Sequence, residues 1–95
     1  MKLYISGKIT SLDIDVAQAN FEEAERILTD QGHEVVNPMK LPHNHDKSWE
    51  AYMVECLQAL LECEGIAMLP NWQTSKGARI EFNLAVELGL VVRYF

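Results

Sequence analysis

Ninety-five residues, 48% hydrophobic and 23% charged, describe one ordinary globular domain, large enough for a single core and neither disordered nor membranous in composition. A net charge of −6 with no cluster of Lys or Arg argues against a nucleic-acid polymer as partner, although local donors can still hold one small anion. No apolar run approaches the roughly 20 residues of a bilayer span, and the opening segment is too short for a signal-peptide core, so a cytoplasmic location is expected.

Residues 2–6 read as a β-rich first strand ended by Gly7, and residues 8–14 as a polar loop. Asp15 is placed to cap a helix whose apolar positions Ala17, Phe21, Ala24 and Leu28 step by four, three and four, and Gly32 stops it. A short strand over 33–37 ends at Pro38, because the residue before a proline is driven out of helical geometry. The loop over 38–47 carries His43, His45 and Asp46. A His-x-His pair without a distant third ligand is a weak metal signal, so no metal is expected there.

Ser48 is a good N-cap for a second helix reaching about Glu62, with a stripe of Trp49, Tyr52, Cys56, Ala59, Leu60 and Cys63. The two cysteines share one helix face about 10 Å apart along the axis, too far for a disulfide, and are read as reduced thiols. Residues 65–69 form an apolar strand of the kind buried on both faces. After a loop over 70–74, a third helix runs from Ser75 to Leu88 and stops at Gly89, and residues 90–94 supply a last strand.

The order β-α-β-α-β-α-β predicts an α/β fold, a three-layer open parallel sheet of about four strands with right-handed crossovers. Ligands in such sheets bind past the carboxyl ends of the strands, near the point where strand order reverses. That rule gathers the segments 4–10, 37–47 and 69–75 with the helix N-termini. Self-association is plausible because a small sheet leaves its edges open.

Glu81 is the residue out of place. At about 100° per residue, Ala78, Phe82, Leu84, Ala85 and Leu88 share one arc of the third helix with Glu81 in its middle, while Lys76, Arg79, Asn83 and Glu87 take the polar arc. A carboxylate facing a core is costly unless paired. It is either a structural acid held by a lysine or a tyrosine hydroxyl, or a nucleophile or general base at the mouth of a cleft. Ser75 with Gly77 and Ala78 places backbone N–H groups at a helix start, which suits an anion such as phosphate, or simply caps the helix. Trp49 and Trp72 flank the same end of the sheet, as packing residues or, for Trp72, as a surface on which a base could stack.

Three segments together carry a resemblance: Tyr4-Ile5-Ser6-Gly7-Lys8-Ile9-Thr10, the helix from Tyr52 to Glu64, and the Gly-x-x-x-Glu-x-x-x-Ala-x-x-Leu-Gly run from Gly77 to Gly89. Over nearly its whole length the chain resembles the small bacterial and phage proteins grouped with the nucleoside 2-deoxyribosyltransferases, a flavodoxin-like fold. The resemblance implies that Glu81 is the nucleophile that attacks C1′ of a nucleoside sugar and that Tyr4 orients it, with Ser6, Gly7, Lys8, Ile9, Trp72, Ser75, Gly77 and Ala78 binding substrate and no cofactor needed. It also implies a role for Ser75, since an Asp at that position accompanies a free 5′-hydroxyl and a Ser accompanies a 5′-phosphate. Lys8, where many members have proline, would add charge to that phosphate.

One position departs from the pattern. Members carry an Asp that handles the proton on the departing base, and here that position is Cys56. A buried thiol is a poor substitute, and Glu55 is rotated about 100° away from its place. The reading therefore divides between a nucleotide N-glycosidase or transferase and a protein that binds a nucleotide, or a signal derived from one, without turning it over. A homo-oligomer is implied too, since relatives complete their sites with a neighbouring subunit. No donated residue is expected from beyond Phe95.

Overall fold

A computed structural model describes residues 1–42 and 48–95, so the candidate ligands His43, His45 and Asp46 lie outside the described residues. Strand β1 (Lys2–Ser6) leads into helix α1 (Ile14–Asp30), strand β2 (Glu34–Val36), helix α2 (Trp49–Leu61), strand β3 (Gly65–Met68), helix α3 (Lys76–Glu87) and strand β4 (Val91–Tyr94). Single 3-10 turns at Pro38–Lys40 and Trp72–Thr74 stand where the pattern suggested plain loop.

All pairings are parallel and the sheet order is β2-β1-β3-β4. The chain moves outward from β1 to β2, then crosses back to lay β3 on the other side of β1. Strand order therefore reverses between β1 and β3, and a crevice opens at their carboxyl ends. This is the expected three-layer α/β architecture.

Alternation along β1 divides the core. Leu3 and Ile5 pack with Phe21, Ala24 and Leu28 of α1, together with Ala67 and Leu69. Tyr4 faces the other layer, where Cys56, Leu60, Ile66, Met68, Ala78 and Ala85 close around it. A period of two in the strands and about 3.6 in the helices produces both faces. Where β1 ends, a Cβ on Gly7 would lie 2.4–2.8 Å from the Leu69 side chain, so this approach of β1 to the end of β3 needs a glycine.

Two local expectations are corrected. Asp13, not Asp15, caps α1: its backbone is extended and its carboxylate accepts the Asp15 N–H at 2.9 Å. Leu88 falls on the apolar arc of α3 but is 49% exposed, because it terminates the helix beyond the edge of the core. Among the described residues no helix is long and apolar enough to cross a membrane.

Candidate active site

Glu81 belongs to the second turn of α3, on the face turned toward the sheet, and is 5% exposed. Tyr4 and Ser6 are two apart on β1, so both hydroxyls stand on the sheet face that α3 covers. Tyr4 donates to Oε2 of Glu81 at 2.5 Å, and Ser6 donates to Oε1 at 2.7 Å. Each carboxylate oxygen thus has one strong, charge-assisted donor. Among the described residues no lysine pairs with it, and the tyrosine foreseen as a structural partner is present.

Burial dominates the titration of this group. Loss of hydration drives Glu81 up to about 7, and the hydrogen bonds from Tyr4 and Ser6 pull the other way. Tyr4 is pushed well above its ordinary value by burial, then by the charge of Glu81, so it remains a proton donor throughout the physiological range. The Cys56 thiol belongs to the buried cluster that contains Tyr4, with Tyr52 packed against it. Burial, reinforced by the charge of Glu81, raises Cys56 to about 11, and at neutral pH it is an uncharged S–H.

These groups line one side of a cavity of about 670 Å³ at the carboxyl ends of β1 and β3. Gly7, Lys8 and Ile9 enter from the β1–α1 loop, and Ser75, Gly77 and Ala78 from the start of α3. The Lys8 N–H donates to Oδ1 of Asn71 at 3.0 Å and ties that loop to the one after β3. Ser75 caps α3 by accepting the Ala78 N–H at 3.2 Å. The N–H groups of Lys76 and Gly77 lie in the first turn, where a helix has no internal acceptor to offer them. Ser6 reaches the site through its bond to Glu81 rather than through the cavity wall.

Trp72 is the exception. It is not among the residues that line the cavity; its 3-10 turn folds the indole onto Phe82 of α3, with ring centroids 4.5 Å apart and 27° between planes. As a core-flanking stack it has no face left for a base on that side. The aromatic wall is made instead by Trp49 and Tyr52, with Met53 beside them. Their signal was present in the spacing of 49, 52, 53 and 56, one face of α2, which reads equally well as a core stripe. Lys76 also lines the cavity, with Nζ 4.7 Å from the Trp49 ring centroid. Sequence periodicity puts Lys76 on the polar arc and says nothing of that contact.

Both cysteines are free and buried. Among the described residues no group of three or more His, Cys, Asp or Glu side chains is placed to hold a metal.

Strand order and crevice define a parallel α/β protein with the fold of a 2-deoxyribosyltransferase. The whole chain superimposes on 72% of a 2-deoxyribosyltransferase from the psychrotolerant bacterium Bacillus psychrosaccharolyticus, with a TM-score of 0.77 and 22% sequence identity. The chain belongs to the family DUF4406, a domain of unknown function whose model matches residues 1–94. No curated protein matches it.

Proposed function

We infer that this protein cleaves or transfers at the N-glycosidic bond of a nucleoside 5′-monophosphate, with Glu81 as nucleophile. The observation that carries this reading is a buried carboxylate with a donor on each oxygen, at the wall of a cavity large enough for a nucleotide. Attack on C1′ by one oxygen of Glu81 forms a glycosyl ester, and water or a second base then resolves it. The Tyr4 and Ser6 hydroxyls hold the carboxylate in one orientation, and near neutral pH a substantial fraction is ionised and able to attack.

The 5′ end is assigned to the start of α3. Ser75, the N–H groups of Lys76 and Gly77, and the Lys8 and Lys76 side chains supply donors and positive charge there, where a carboxylate would repel a phosphate. Ser75 lies six residues before Glu81, or roughly 9 Å along the helix axis, a separation suited to a 5′-phosphate and the C1′ of one nucleotide. The 2-deoxyribosyltransferase with the similar fold, a biocatalyst for the synthesis of nucleosides, is consistent with chemistry at the same bond. Self-association through the open sheet edges and a reducing cytoplasm, suited to two free thiols, complete the reading.

A second reading is favoured by Cys56: a protein that holds a nucleotide or nucleotide-derived signal and does not cleave it, because the cavity has a thiol where a proton donor would be useful. Incubation with a panel of nucleoside monophosphates, followed by chromatography for free base, separates the two. The enzyme reading expects base release that disappears in Glu81→Gln. Thermal stabilisation by a nucleotide without base release, unchanged in Glu81→Gln, selects the binder.

A further inference from the structure

The described lining of the cavity holds one carboxyl group, Glu81, and no histidine. Its other titratable side chains are the phenols of Tyr4 and Tyr52, the thiol of Cys56 and the amines of Lys8 and Lys76. The proton of Tyr4 is committed to Glu81. The thiol is 1% exposed and enclosed by Tyr4, Tyr52 and the core of α2. Among these residues, then, once the amines are given to the phosphate, the groups left to meet a departing base are soft, neutral and weakly acidic.

A neutral purine or pyrimidine leaves C1′ as an anion unless it is protonated, and general acid catalysis of that step is commonly worth 10²–10⁴-fold. A base already quaternised at a ring nitrogen leaves as a neutral molecule and needs no acid. The aromatic wall suits such a base. The Trp49 ring already carries a cation, with the Lys76 ammonium 4.7 Å from its centroid, and Tyr52 stands one helical turn along on the same face of α2. The Glu81 carboxylate supplies the opposite charge beneath the glycosidic bond.

We propose that the substrate is a nucleotide with a cationic aromatic base, an N-ribosyl pyridinium or an N7-alkylated purine, whose phosphate lies by Lys8 and Lys76 and whose ring lies against Trp49 and Tyr52. This rests on the reading of Glu81 as nucleophile. The Glu81 oxygen bonds to C1′ as the C1′–N bond breaks, and the bonding pair goes to the ring nitrogen, cancelling its charge. The neutral base departs. Water then attacks the ester, giving the sugar 5-phosphate and one proton and restoring the carboxylate.

Two comparisons test it, with rates corrected for enzyme-free hydrolysis. Guanosine 5′-monophosphate against its 7-methyl derivative differs by one methyl group and one positive charge, and nicotinamide mononucleotide adds the pyridinium case. The expected result is a kcat/KM at least about 100-fold higher for a cationic substrate than for guanosine monophosphate, the lower bound of what an acid would have supplied. Cleavage of only one of the two cationic substrates identifies the ring, purine or pyridinium. In Cys56→Asp the gap should narrow through faster cleavage of the neutral nucleotide. Equal turnover of neutral and cationic substrates overturns this inference and leaves Glu81 as nucleophile. Failure to cleave any of the three overturns the nucleophile reading and this inference together.

Discussion

In the proposed role, Glu81 has to meet two conditions that pull against each other. To attack carbon it must be ionised and poorly hydrated, while a fully buried carboxylate would simply stay protonated. Two hydroxyls from alternate positions of one strand hold it between those limits, at about 7. Stability follows with a definite sign. The folded chain keeps this proton in a range where the unfolded chain, with its carboxyl near the ordinary value of 4.5, has lost it. The contribution is fully present below about pH 4.5, falls as pH rises, and is gone above about pH 7, a change on the order of 3 kcal/mol. Urea denaturation at pH 5 and pH 8 should show that loss in the wild type and a much flatter profile in Glu81→Gln. Equal slopes in the two proteins would mean that Glu81 is not the group responsible.

At the scale of elements, the beginning of α3 borders the cavity and is the proposed place of the 5′ end. Ser75 serves as N-cap and lines the cavity at once, so its hydroxyl is bound to the Ala78 N–H while Lys76 and Gly77 of the first turn line the cavity beside it. Asp caps helices as well as Ser does. Ser75→Asp should therefore leave stability within about 0.5 kcal/mol and reduce the preference for a phosphorylated over an unphosphorylated nucleoside by tenfold or more, through like-charge repulsion. Competition binding with the two ligands measures it; an unchanged preference would place the phosphate elsewhere. The elements were largely readable from sequence, since helix caps at Ser48 and Ser75, the glycines at 32 and 89, and the apolar run at 65–68 are local signals. Trp72 was not readable in this way. Whether an indole in a short loop faces a cavity or Phe82 is decided by a 3-10 turn and a partner ten residues on, and neither leaves a periodic trace. Tyr52 posed the reverse problem, because the same stripe on α2 describes a core and a pocket wall.

In the whole molecule, the reversal between β1 and β3 is the feature that converts a small sheet into a site. It brings the end of β1, the start of α3 and the inner face of α2 to one crevice, and the alternation of strands and helices was enough to anticipate that end of the sheet. It also leaves β4 as an outer strand with Val91 45% and Tyr94 62% exposed. An open edge bearing apolar side chains favours association with a second copy. Sedimentation should give a mass that is a multiple of 10.8 kDa, lowered by Val91→Lys with Tyr94→Lys; a 10.8 kDa species at all micromolar concentrations would remove β4 from that role.

The nucleophile reading meets its most direct test in intact-protein mass spectrometry after acid quenching during turnover of a nucleotide. The account predicts a glycosyl phosphate adduct on the wild type that maps to the peptide containing Glu81 and is lost in Glu81→Gln together with base release. Base release that continues in Glu81→Gln, or an adduct mapped to any other residue, would contradict it.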